Sequence, residues 1–329
     1  MRIGILSFAH HHAESYIYNL RKIYEVTPIG IADGNFERGQ KLSSQYDIPF
    51  YKTYEELLAV KPDGVLICSE NSKHREMVEM AAHAGVNVLC EKPLATTVED
   101  SRAMVDACKD AGVILMTAFP MRFSTPLIQV KKSIDTGDFG KIYCFNATNQ
   151  GELPSVYREW FVDPELAGGG ALMDHTVHLV DIMRWYLGSE VTEVYAQTNQ
   201  IFHADEVKVE TGGLEMIKFQ NGVFATIDAS WSRPDYWPSW GGLTFELITE
   251  MGAVLVDAFS QNLTIYRDDW QRAGWSYWGS DANQAMINEF VSAVRENRPP
   301  AVTGWDGLKA VEVTLAAYES ANSNQPVFL

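Results

Sequence analysis

The chain has 329 residues, with 26 Lys plus Arg against 43 Asp plus Glu for a formal net charge of −17 and no basic cluster. That balance repels phosphate backbones and argues against a nucleic-acid partner. No apolar run nears the roughly 20 residues of a membrane span, and MRIGILSF enters a strand-like run without a basic leader or cleavage site, so no membrane partner and a cytoplasmic location are expected. Cys68, Cys90, Cys108 and Cys144 lie far apart and outside any CxxC pair, which reads as reduced, structural thiols.

The first third alternates two patterns. RIGILSF, TPIGIAD, DGVLICS, VNVLCEK and VILMTAF are apolar strand candidates. Between them, Glu14 to Tyr24, ERGQKLSSQYDI, YEELLAV, KHREMVEMAAHAG and VEDSRAMVDACKDAG are patterned as helices. Strict alternation with continuous apolar strands predicts an α/β fold: an N-terminal doubly wound parallel sheet of Rossmann type over residues 1–122. Ligands of such sheets sit at the carboxyl ends of the strands, here residues 7–12, 33–35, 69–74, 91–93 and 118–122.

After residue 123 the rhythm changes. PLIQVKKSIDTG reads as a helix and KIYCFNATNQ as a strand, followed by a loop rich in Gly, Pro and Trp and a helix from roughly 170 to 187. VTEVYAQTN, GGLEMIKFQNGVFATIDASWS, LTFELITEMGAVLVDAF and NLTIYRD are strand-like, with Asn221-Gly222 as a hairpin signal. Residues 123–329 are therefore expected to form an α+β domain with a large open, mostly antiparallel sheet. NQAMINEFVSAVREN and the segment from Trp305 to Ala321 close the chain as helices available to pack back on the first domain.

The turn after the first strand, GILSFAHHHAESY, stands where a dinucleotide-binding turn carries glycines, yet Ser7, Ala9 and His12 occupy those places. Free N–H groups at a helix start still make an anion site, which makes Ser7, Phe8, Ala9, His10, His11 and His12 candidate cofactor contacts. Asp33 ends the second strand, where a carboxylate accepts hydrogen bonds from ribose hydroxyls and repels a 2′-phosphate. NAD is therefore favoured over NADP, with Arg38 the cation a few residues on. No metal site is expected from the histidine run: neighbouring imidazoles cannot all face one ion, and no carboxylate cluster joins them nearby.

Two further stretches carry chemistry. VNVLCEKPLATT places Glu91, Lys92 and Pro93 at a strand end, and GGGALMDHTVHLVD places Asp174, His178 and Asp181 on one helical stripe at i, i+4 and i+7. Oxidising an alcohol needs a base for the hydroxyl proton as hydride leaves. A desolvated lysine and a histidine oriented by a carboxylate both suit that task.

On these residues the chain resembles the Gfo/Idh/MocA oxidoreductases, named for glucose–fructose oxidoreductase and inositol dehydrogenase. DGVLICSENSKH, EKPLATT, MRFSTP, YREWFVDPELAGGGALMDHTVHLVD and the chain end PPAVTGWDGLKAVEVTLAAYESA carry the likeness. The resemblance implies cofactor contacts at Ser69, Asn71, His74, Glu91, Lys92 and Arg122, and a Lys92–Pro93 bond that is commonly cis. It implies Lys92 and His178 as the proton-handling pair with Asp174 as the third catalytic residue. Substrate contacts would come from Lys92, Arg158, Trp160, Asp174, His175 and His178. Departures are the altered turn, Thr176 where a glycine is usual, and Glu70 in place of a proline.

The reading is an NAD-dependent dehydrogenase of a sugar, inositol or other polyol, forming a homo-oligomer (dimer or tetramer) through its C-terminal sheet. Trp231, Trp237 and Trp240 are candidate apolar faces for a sugar ring, with core packing the alternative. Two rivals stay open: redox-neutral sugar chemistry through transient oxidation, and a non-catalytic sensor on the same fold.

Overall fold

The computed structural model describes all residues, Met1–Leu329. Its elements in chain order begin with β1 (Arg2–Leu6), α1 (His12–Arg21), β2 (Thr27–Ala32), α2 (Phe36–Tyr46), β3 (Phe50–Tyr51), α3 (Tyr54–Ala59) and β4 (Gly64–Ile67). There follow α4 (His74–His83), β5 (Asn87–Cys90), α5 (Val98–Ala111), β6 (Leu115–Thr117), α6 (Thr125–Thr136), β7 (Ile142–Gly151), α7 (Pro164–Ala167) and α8 (Ala171–Leu187). The remainder is β8 (Val191–Asn199), β9 (Gly212–Phe219), β10 (Phe224–Ser230), β11 (Gly241–Thr249), β12 (Gly252–Asp257), β13 (Asn262–Arg267), β14 (Arg272–Tyr277), α9 (Ala282–Glu296), α10 (Gly304–Ser323) and β15 (Val327–Phe328).

The chain forms two compact units, Met1–Pro120 with Glu165–Gly168 and Asn283–Val311, and Met121–Pro164 with Gly169–Ala282 and Glu312–Leu329. In the first, six strands pair in the order β3-β2-β1-β4-β5-β6, and every pairing is parallel. β4, GVLI, is buried at all positions, as expected of a strand covered on both faces. Thr53 and Thr97 cap α3 and α5 by accepting the N–H of Glu56 and Asp100, and Gly112 ends α5 at φ 69. The order reverses between β1 and β4, and that switch point is where sheets of this kind open a ligand crevice.

In the second unit a seven-stranded sheet runs β12-β11-β7-β10-β9-β8-β15. Its pairings are antiparallel except β7 with β10. The Asn221-Gly222 turn joins β9 to β10 with Gly222 at φ 86, as its sequence predicts. α8, the longest apolar helix pattern of this unit, buries thirteen residues from Ala171 to Tyr186.

Three details correct the sequence reading. Phe50–Tyr51 is an edge strand, too short to show a period. NLTIYRD does not join the large sheet; β13 pairs with β14 in a separate ribbon. α1 starts earlier and stops at Arg21, leaving Tyr24 fully exposed. All four cysteines are free thiols, three of them buried. No helix is long and apolar enough to cross a membrane.

Candidate functional site

In the first unit, the expected cofactor residues gather at the carboxyl ends of β1, β2, β4 and β5. Ser7 takes the left-handed conformation, φ 68, that a glycine would adopt at no cost. Its N–H donates to the Ala32 carbonyl at 2.7 Å, and its Oγ accepts the Ala9 N–H at 3.2 Å. Asp33 is 3% exposed and braces this turn, with Oδ2 accepting the Phe8 N–H at 2.8 Å and Oδ1 the Asn35 N–H at 2.7 Å. Arg38 closes on both oxygens, through Nε at 2.9 Å and Nη2 at 2.7 Å. A turn without its glycines is thus held by side chains.

The three histidines pack ring against ring, with centroids 4.3–4.9 Å apart. The sequence shows no carboxylate near them, but the fold supplies one: Glu91 Oε1 lies 3.2 Å from His12 Nδ1 and 4.0 Å from His10 Nδ1. His10 is buried, its N–H donates to the Cys68 carbonyl, and its Nδ1 accepts the His12 N–H at 3.2 Å, which requires an unprotonated nitrogen there. Burial accordingly drives His10 well below the ordinary histidine range, against the pull of Glu91. Burial would raise Glu91, yet His10, His12 and the nearby Tyr16 hydroxyl outweigh it and hold the carboxyl below its usual range.

Beside this cluster, the Lys92–Pro93 bond is cis and Lys92 is 6% exposed at the end of β5. His74 is fully buried and donates from Nδ1 to the carbonyls of Pro93 and Leu94, at 3.0 and 3.2 Å, so it fixes the backbone that carries Lys92. Asn71 donates to the Ala167 carbonyl at 2.9 Å, and the Ser69 hydroxyl to the Glu70 carbonyl at 3.1 Å.

In the second unit, α8 begins after Gly168-Gly169-Gly170. A Cβ on Gly170 would lie 2.0 Å from the Glu210 carbonyl oxygen, and one on Gly169 2.0 Å from the Tyr318 hydroxyl. The Glu210 carboxylate accepts the N–H of Gly170 at 3.0 Å and of Leu172 at 3.1 Å, satisfying donors that a helix start leaves open. From Ala171 to Val180, only Asp174 and His178 keep solvent exposure, one turn apart; the other eight residues are buried. Asp174 Oδ2 accepts the Trp231 indole N–H at 3.2 Å and lies 3.1 Å from His175 Nε2, while His175 Nδ1 donates to the Asn149 carbonyl at 2.7 Å.

The remaining candidates sit in varied surroundings. Trp231 is not a sugar face: it is fully buried, in a core cluster with Leu153, Ala171, Val207 and Val209, and reaches the site only through its N–H. Trp160 is buried and stacked on Phe161 at 4.0 Å, Trp237 carries Arg233 over its ring at 4.2 Å, and Trp240 is 39% exposed against Phe259. Arg158 donates to the Tyr157 carbonyl at 2.9 Å. Arg122, expected beside the nicotinamide, is engaged by Asp181 through Nε at 2.7 Å and Nη2 at 2.5 Å. Sequence reasoning missed the Glu210–Tyr318 support of α8 and Glu215, whose carboxyl accepts the Thr176 hydroxyl beneath that helix. Burial pushes Glu215 up to about 8.

Both units match known protein domains. Residues 3–119 match the oxidoreductase family with an NAD-binding Rossmann fold, and residues 127–255 match the GFO/IDH/MocA C-terminal domain. The chain is 28% identical to a myo-inositol 2-dehydrogenase of Thermotoga maritima, covering 100% of this chain and 98% of that protein. It is also 28% identical to a D-xylose 1-dehydrogenase (NADP(+)) of Haloferax volcanii, covering all of both. Among solved structures, GenD2 from gentamicin A biosynthesis, in complex with NAD, superposes with a TM-score of 0.90 at 24% identity over 100% of this chain and 96% of that one. The chain therefore belongs to the Gfo/Idh/MocA oxidoreductase family and is an NAD(P)-dependent dehydrogenase.

Proposed function

We propose that the protein oxidises a hydroxyl of a sugar, inositol or related polyol with NAD as hydride acceptor. The observation that carries this reading is the α8 stripe, where a carboxylate and an imidazole are the two partly exposed side chains of an otherwise buried helix half. Asp174 is oriented by Trp231 and His175, and a fixed carboxylate suits a hydroxyl-rich ligand. In this proposal Lys92 and His178 handle the hydroxyl proton, Asp174 binds a substrate hydroxyl, and Arg158 and Trp160 contribute contacts. His175 acts through Asp174. The names of the two relatives, acting on an inositol and a pentose, support the substrate class.

The residues of the first unit fit a dinucleotide. The β1–α1 turn lies at the switch point of a parallel sheet, and Asn71 Oδ1 is a buried acceptor without a partner near the end of β4. When bound, the nicotinamide supplies the hydride acceptor. The start of α1 would take the phosphates and Asp33 the ribose hydroxyls, with Arg38 swinging off the carboxylate to admit them. A carboxylate there favours NAD over a 2′-phosphate. Self-association is proposed through the outer sheet face, where Leu214, Met216, Phe224 and Leu255 are 65%, 57%, 51% and 80% exposed.

A panel of sugars, inositols and sugar acids offered with NAD and with NADP tests the reading. Reduced nicotinamide should accumulate with at least one of them, faster with NAD. Failure to exchange hydride with any would overturn it, and turnover without net reduction would point to redox-neutral chemistry. Light scattering gives the mass in solution; a monomer would remove the proposed self-association.

A further inference from the structure

The histidine run and Glu91 have a use that dinucleotide binding does not require. We propose that His10, His12 and Glu91 bind one divalent transition-metal ion of the zinc type, which ties the β1–α1 turn to the end of β5. This reverses the expectation drawn from sequence, where the carboxylate 79 residues away could not be placed beside the imidazoles.

The donor set is two imidazoles and one carboxylate, a combination that zinc and its neighbours take with one position left open. One donor atom from each residue lies within 4.8 Å of the other two, and the two measured separations to Glu91 Oε1 are 3.2 and 4.0 Å. Bonds of about 2.0–2.1 Å place neighbouring ligands roughly 3–4 Å apart, so small side-chain adjustments close the site. Both His10 and Glu91 are 1% exposed, so an ion between them would be shielded from water on the protein side.

One feature opposes an ion: His10 Nδ1 accepts the His12 N–H, a bond of ordinary strength that ligation through this nitrogen would replace with a stronger one. Two nitrogen donors and a single carboxylate disfavour calcium and magnesium, which take oxygen ligands. An ion bound through imidazole nitrogen is the type left. Its structural benefit is local: Ser7 holds the turn at φ 68 without glycine, and a bridge from that turn to β5 restrains it.

The test uses the full chain expressed without a histidine tag, stripped with chelator, and titrated with zinc and with cobalt(II). Expected are one ion per chain with micromolar or tighter affinity, visible absorption bands from the bound cobalt, and a raised melting temperature. His12→Gln, at a ring that is 29% exposed, should weaken binding at least about tenfold. Glu91→Gln should do the same, with circular dichroism reporting its fold, while His203→Ala on the surface should change nothing. A wild-type chain that takes up no ion, or a His12→Gln chain that binds as tightly as wild type, overturns the site. None of these readouts involves substrate turnover, so they stand apart from the dehydrogenase reading.

Discussion

Two buried carboxylic acids take opposite charge states in the two units. Glu91, 1% exposed at the end of β5, is held ionised because imidazoles and a phenol surround it. Glu215, 3% exposed in β9, has the Thr176 hydroxyl and a second acid, Glu210, and burial pushes it up to about 8. Depth is the same, so neighbours decide the charge. The backbone near each acid differs in the same spirit: the β1–α1 turn is held by Ser7, Asp33 and Arg38, whereas the start of α8 achieves close approach with Gly169 and Gly170.

The strongest way to break this contrast is Gly170→Ala. Its added carbon meets backbone at 2.0 Å, which side-chain motion cannot relieve, so urea unfolding should show a loss on the order of 3 kcal/mol or more. The next effect is in pH. Glu215 keeps its proton in the folded chain up to about 8 but ionises near its ordinary 4.5 when unfolded. The folded state then holds the extra proton, and stability falls as pH rises between those values and levels off above them. Glu215→Gln should abolish this decline, stabilising the chain at pH 8 relative to pH 5 by on the order of 2–4 kcal/mol compared with wild type. An unchanged profile would mean that Glu215 is ionised.

A smaller effect probes the α8 stripe. Trp231→Phe keeps the buried ring but removes the N–H on Asp174, and should cost about tenfold in turnover, roughly the worth of one hydrogen bond to a charged group. The least is expected at Ser7→Gly, which releases the left-handed strain while losing the Oγ contact to Ala9, for a net gain of about 0.5–1 kcal/mol in thermal unfolding.

Legibility in the sequence followed the range of the physics involved. The parallel sheet was readable because its strands are short continuous apolar runs, as in GVLI, and in the second sheet Asn221-Gly222 marked the β9–β10 hairpin by local turn chemistry. β13 was readable as a strand, but alternation says nothing about which strand it pairs with. In β9 the alternation itself misleads: Leu214 and Met216 face out and Glu215 faces in, so residue type inverts the usual pattern. Trp231 looked like a ligand face because aromatic residues serve both purposes, and burial separates them. The candidate residues could be named from motifs, yet Glu91 beside the histidines and Glu210 beneath α8 are long-range partners that no local spacing announces.

The central claim is that Lys92 takes part in the chemistry rather than in holding cofactor. Steady-state turnover of Lys92→Ala, measured with a substrate found in the panel alongside the NAD dissociation constant, tests it most directly. Turnover should fall by at least about a hundredfold while NAD affinity stays within about twofold of wild type. Turnover close to wild type would contradict the account.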